Sequence, residues 1–138
     1  MEEKVLSIKQ MLKLIKLGVD TSKATIYWAK QVNGSQINDK IQGKPFLSLH
    51  KSQMICGFTR FEITPALTLQ DIIELLPKKI NDYELNIYVT QGLIQYDKPS
   101  CCDDLDILHE VYGNSLIENA YTMLCFLAKY KNHFEKVV

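Results

Sequence analysis

The sequence predicts an α+β domain in which an antiparallel sheet of three to five strands packs with about three helices. Three observations lead there. Two segments, Ser7 to Gln10 and Ser115 to Glu118, have the serine-to-Gln/Glu spacing of a capping box and continue with apolar residues at helical spacing. Tyr83-Glu84-Leu85-Asn86-Ile87-Tyr88-Val89 alternates polar with apolar and runs into Gln91-Gly92, the pattern of a strand entering a tight turn. The resulting order is helix, strand, strand, helix, hairpin, helix, without the strand–helix alternation of a doubly wound parallel sheet.

Taken in order, Ile8, Met11, Leu12 and Ile15 form the apolar stripe of a first helix over about residues 8–17, and Gly18 supplies a left-handed stop. Lys9, Lys13 and Lys16 line another face of that helix. Asp20 to Lys23 is a polar turn. From Ala24 the period becomes two, with Ala24, Ile26 and Trp28 on one face and Thr25, Tyr27 and Ala29 on the other, as in a half-buried strand. Trp28 is expected in the core beside Ile26. Asn33-Gly34-Ser35 turns the chain, Gln36 to Lys44 reads as a loop or weak strand, and Pro45 to Lys51 carries no assignable pattern.

Met54 to Ile63 is strand-like, with Gly57 marking a bulge or a close backbone approach, and Pro65 is expected to end it. Thr68 is placed to cap a second helix, with Asp71 near its positive end, Leu69, Ile72, Ile73 and Leu76 as its stripe, and Pro77 as its stop. Beyond Gln91-Gly92, Leu93 to Tyr96 returns antiparallel. Residues 97–114 read as an acidic irregular segment with one helical turn near Leu105 to His109. In the last helix Ile117, Ala120, Tyr121, Leu124 and Ala128 form one stripe, and Leu116, Met123 and Leu127 widen it. Phe126 lies on another side. A helix apolar nearly all round must be covered by its own core or by a second chain.

The chain has 138 residues, and its 46% hydrophobic and 23% charged content excludes a disordered or membrane-type composition. One domain over residues 1–138 is expected, burying roughly two thirds of its unfolded surface without metal or disulfide support. Cys56, Cys101, Cys102 and Cys125 show no paired spacing and read as free thiols, Cys125 as a small core residue. No signal-like start and no long apolar run is present, so the expected address is cytoplasmic, with no membrane contact. Net charge is zero but uneven. Residues 1–51 hold nine lysines against four acidic groups, +5, and residues 52–138 hold seven basic against twelve acidic groups, −5.

A resemblance accompanies these patterns. Leu17-Gly18-Val19-Asp20-Thr21-Ser22-Lys23-Ala24 with the later Trp28 resembles the opening of small uncharacterised proteins common in prophages and mobile elements of gut bacteria. Thr68-Leu69-Gln70-Asp71-Ile72-Ile73-Glu74-Leu75-Leu76-Pro77-Lys78 resembles their middle helix. Ser115-Leu116-Ile117-Glu118-Asn119-Ala120, continuing through Tyr121, Met123, Leu124 and Cys125, resembles their last. The helix–hairpin–helix half is also, more distantly, similar to phage ABA-sandwich proteins. The matching residues are caps and core positions, so the resemblance implies a fold and a habitat and no activity.

Catalytic signatures are missing. Cys101, Cys102, Asp103, Asp104, Asp106 and His109 are the one cluster of metal-ligand types, but adjacent cysteines do not turn two thiolates toward one ion as spaced pairs do. An acidic surface loop is expected there, with no metal and no cofactor. His50, His109 and His133 lack any nucleophile motif, and six scattered glycines form no phosphate loop. The expected protein is therefore non-enzymatic, an accessory or interaction protein of phage or mobile-element type that binds another macromolecule. Its expected partner is a protein, and a homodimer is admissible. The alternative is nucleic-acid binding through Lys9, Lys13 and Lys16, opposed by zero net charge and a single arginine, Arg60. Tyr88, on the polar side of its strand, and Phe126 complete the candidate contact residues.

Overall fold

A computed structural model describes residues 5–31, 44–49, 55–56, 59–100 and 105–130. The chain divides into two compact units, Met1–Thr68 and Leu69–Val138. Each contains helix and a four-stranded antiparallel sheet, so the α+β class holds, with two sheets where the sequence suggested one.

In the first unit, helix α1 (Ile8–Lys16) is followed by β1 (Ile26–Gln31), β2 (Phe46–Ser48), β3 (Ile55–Cys56) and β4 (Thr59–Ala66), ordered β2-β1-β4-β3. The capping box forms as the serine spacing predicts. Ser7 Oγ accepts from the Gln10 amide at 3.2 Å, and Gln10 Oε1 accepts from the Ser7 amide at 2.9 Å. At the other end Gly18 takes φ +88°, and the Gly18 and Val19 amides donate to Ile15 O and Leu14 O, closing a Schellman motif. Helix α1 packs against β4.

Strand β1 is central, so it is not half-buried: Tyr27, Trp28 and Ala29 are all buried in succession. Trp28 packs with Val5 and Ala66, and Ile8, Ile26 and Leu47 lie against them. Its indole Nε1 donates to Leu6 O at 2.7 Å, so the one polar atom of a buried ring is satisfied by the segment entering α1. Pro65 does not end the strand; it stands opposite Tyr27 inside β4, which continues to Ala66. A residue with no N–H fits a ladder where that position faces away from the neighbour. On its far side β4 pairs with β3 only at Thr59 and Arg60, which leaves Pro65 on an open edge among the described residues. Gly57 and residues 36–43 lie outside the described residues, and so does all but Lys44 to Leu49 of the stretch from 44 to 54.

The second unit holds α2 (Leu69–Leu75), β5 (Lys79–Ile80), β6 (Tyr83–Tyr88), β7 (Leu93–Pro99), β8 (Leu105–Val111) and α3 (Leu116–Lys129). The strands run in the order β5-β6-β7-β8. The predicted hairpin is β6–β7, with Tyr88 opposite Leu93 and Glu84 opposite Asp97. A short strand the alternation did not reveal, β5, turns into β6 through Asn81 and Asp82, with Asn81 at φ +55°. The irregular reading of residues 97–114 is overturned. β7 runs on to Pro99, and Leu105–Val111 is a strand rather than a helical turn. Tyr96 faces His109 while Asp97 faces Ile107, so Leu108 is the extra residue of a bulge.

Helix α3 packs on β7, β8 and α2. Of the expected stripe Ala120 and Leu124 are buried, with Met123 from its flank, whereas Ile117, Tyr121 and Ala128 are half-buried; Cys125 is buried as a small core residue, and so is a polar residue, Asn119. Asn119 Nδ2 donates to Gly92 O at 2.6 Å and to Gly113 O at 3.3 Å. The first turn of α3 thereby ties the β6–β7 turn to the loop leaving β8. Gly92 (φ +65°) comes so close that an added Cβ would lie 2.5 Å from Gly113 O, whereas Gly18 has open space around it. Both positions carry the left-handed strain of roughly 1–2 kcal/mol on substitution by alanine, and only Gly92 adds a backbone clash. Gly92→Ala should therefore lower the urea-unfolding free energy by more than Gly18→Ala; equal losses would show that the Gly92–Gly113 approach is not a constraint.

Candidate functional site

The candidate site begins on α1. Lys9, Lys13 and Lys16 are separated by four and three residues, which sets them within one narrow strip of the helix. All three are exposed, diametrically opposite the buried Met11 and Leu14. Among the described residues none of them has an ion-pair partner. The apolar stripe, however, is not the one the spacing suggested. Met11 and Leu14 are fully buried, while Leu12 and Ile15 are 51% and 43% exposed. The helix is thus rotated so that two aliphatic side chains stand in solvent on the flank of the lysine row.

Sequence reasoning missed this because every apolar residue at helical spacing was assigned to one core face. Leu14 was the available signal. Met11 and Leu14 form an i, i+3 pair directly opposite the lysines, and a helix seated symmetrically on them must leave Leu12 and Ile15 at the margins. Residues 1–68 contain ten basic and five acidic side chains, +5, and residues 69–138 contain six and eleven, −5. The lysine row therefore belongs to a basic unit, and the charge asymmetry follows the unit boundary.

The other candidate residues are placed apart from this row on the chain. Tyr88 ends β6 and is 39% exposed, next to Val89 at 70% in a short 3-10 turn. Phe126 is half-buried on α3. Its ring stacks on His109 of β8 with centroids 3.6 Å apart and planes within 2°, and Tyr130 lies tilted against its other neighbourhood at 4.8 Å. Phe126 therefore contacts its own sheet rather than standing free.

The polar cluster around residues 101–109 is only partly visible. Cys101, Cys102, Asp103 and Asp104 lie outside the described residues. Asp106 is on β8, where it accepts a hydrogen bond from Tyr83 OH at 3.0 Å and stands 3.9 Å from Lys98 Nζ. Lys98 also lies over the Tyr83 ring at 4.7 Å. This row crosses β6, β7 and β8 at the surface, where such pairs contribute little to stability. Among the described residues no three His, Cys, Asp or Glu side chains are grouped as metal ligands. On β7, Asp97 accepts from Asn86 Nδ2 at 2.9 Å and from Gln95 Nε2, a buried carboxylate satisfied by two amides. No described helix is long and apolar enough to cross a membrane.

Comparison with protein-family models, with curated proteins and with solved structures finds no match for this chain.

Burial beneath α3 holds the His109 imidazole below its ordinary value of 6.5, and Glu110 opposes that shift. Burial also pushes the Tyr121 hydroxyl up to about 12. For His109 the sign is fixed: the unfolded chain takes up a proton near 6.5 while the folded chain resists, so this contribution to stability is complete above 6.5 and is lost as pH falls below it. His109→Gln should flatten that part of the stability–pH curve. Phe126→Ala should raise the imidazole titration toward its ordinary value by NMR, and an unmoved titration would mean that the stacked ring is not what dries the site.

Proposed function

We propose that this protein is a non-enzymatic accessory protein, of the kind carried by phages and mobile elements, which acts by binding another protein through α1. The observation that carries this reading is the pairing of two unlike surfaces on one helix. Lys9, Lys13 and Lys16 are exposed, with no ion pair among the described residues, and Leu12 and Ile15 are exposed beside them. An aliphatic side chain buried in a contact contributes roughly 1.5–3 kcal/mol, or about ten- to a hundredfold in affinity. A row of cations beside it selects an acidic partner and steers its approach. The resemblance to prophage and mobile-element proteins supports the setting, and the absence of any catalytic motif supports binding over chemistry.

The exposed lysine row also favours a second reading, contact with nucleic acid. Three phosphates neutralised by three lysines give a salt dependence of about −2.7 in log K against log salt, near 40-fold between 50 and 200 mM. Such binding is weak and has no use for Leu12 or Ile15.

The two readings separate on two variants. With the protein immobilised in an extract of its host, Leu12→Ser/Ile15→Ser and Lys9→Gln/Lys13→Gln/Lys16→Gln should each release a protein that the wild type retains. Retention on duplex DNA or RNA at low salt, lost only in the lysine variant, would favour the nucleic-acid reading. Retention of the same protein by both variants would remove α1 from the account.

A further inference from the structure

We infer that the outer edge of β8 is a docking site for an extended, basic and apolar segment of another protein, which adds a fifth strand to the second unit's sheet. This surface is separate from α1, and the inference does not rest on the reading of that helix.

An edge strand leaves one row of its backbone amides and carbonyls without a partner in the sheet. β8 pairs with β7 on one side, and among the described residues no strand lies on the other, so its outward amide and carbonyl groups form an unused ladder. Among the described residues it is also the one edge with useful length. β5, at the opposite side of the same sheet, has two residues; β2 and β3, the edges of the other sheet, have three and two. β8 has seven. Proteins blunt such edges with short strands, lysine, proline or bulges. The strand Leu-Asp-Ile-Leu-His-Glu-Val contains neither lysine nor proline, and its protections are the bulge at Leu108 and the charges of Asp106 and Glu110, which act against a like-charged strand.

The side chains say what would fit. Leu105 and Ile107 are 53% and 43% exposed, and the register sets them on the face of Asp97 and Pro99, away from the face where His109 meets Phe126. Glu110 is exposed as well, as is Asp106 although Tyr83 and Lys98 already hold it, within a unit that carries −5. An incoming strand with aliphatic and cationic side chains satisfies both sets, since cross-strand neighbours interact directly. A second copy of β8 fits poorly. Pairing the strand with itself over all seven residues centres on Leu108 and sets Asp106 opposite Glu110 twice, a like-charge pairing that opposes association. Strand addition of this kind takes its affinity from main-chain hydrogen bonds and its selectivity from the flanking side chains.

The test uses the full chain and a synthetic peptide, Thr-Lys-Val-Lys-Val-Arg-Val-Thr, at low salt. Fluorescence anisotropy should show saturable binding, and hydrogen exchange should slow at the amides of 105–111 and not along β5. A peptide with glutamate at its three basic positions, or with alternate amides N-methylated, should bind about tenfold more weakly or not at all. Leu105→Lys/Ile107→Lys should lose binding to the same degree, while Lys9→Gln/Lys13→Gln/Lys16→Gln should bind as the wild type does, which keeps this outcome apart from the fate of the α1 reading. The inference is overturned by no binding, by equal binding of the acidic peptide, by protection elsewhere than 105–111, or by a wild-type dimer whose β8 amides are already protected without peptide.

Discussion

An open antiparallel sheet ends in two strands whose outward backbone groups have no partner within the sheet, and both sheets of this molecule are open. Much of the chain's local design follows from that constraint. At one edge of the first unit, β4 carries Pro65 where pairing with β3 has already stopped, so no donor is left facing outward there. In the second unit one edge is reduced to the two residues of β5, turned sharply by Asn81. β8 is the exception, long and lightly protected, and the bulge at Leu108 is placed in its middle.

In each unit a buried polar side chain reaches across the chain to the backbone of a distant segment. Trp28 Nε1 on Leu6 O fixes the entry to α1 over the central strand of its sheet. Asn119 Nδ2 on Gly92 O and Gly113 O fixes the start of α3 over two turns. In both cases substitution of the side chain removes the donor and leaves a backbone carbonyl without that partner, which costs more than the net gain of an ordinary hydrogen bond. These contacts settle which side of each helix faces inward. On α1, seating Met11 and Leu14 leaves Leu12 and Ile15 outside.

Elements whose signals are local were readable from the sequence. The capping box at Ser7 and the N-cap at Ser115 fix the helix starts, and the alternation from Tyr83 with Gln91-Gly92 fixes the hairpin, because caps and tight turns depend on a few neighbouring residues. β8 was unreadable for a physical reason. The extra residue at Leu108 breaks period-two alternation, and Leu105, Leu108 and Val111 then fall three apart, as they would on a helix. The half-buried reading of β1 failed because the position of a strand within its sheet is set by pairing with β2 and β4, long-range contacts that the strand's own residues do not encode. Asn119 was passed over because its role depends on two glycine carbonyls, one 27 and one 6 residues away. At the candidate site the lysine row was visible in the helical period, whereas the exposure of its aliphatic flank depended on how the helix is seated.

The two surfaces differ in the physics they offer a partner. On α1, charge and apolar area stand on a preformed helix, so binding costs little backbone entropy on this side and selectivity comes from the match of cations to acidic groups. Along β8, the ladder itself is the adhesive, and an incoming segment must give up its own chain entropy to become a strand. Opposite charge on the two units keeps these demands distinct, since a segment drawn to Asp106 and Glu110 is repelled by Lys9, Lys13 and Lys16. The proposed partners therefore differ in kind: the basic helix of the first unit suits an acidic surface, and the acidic strand edge of the second suits a basic extended segment.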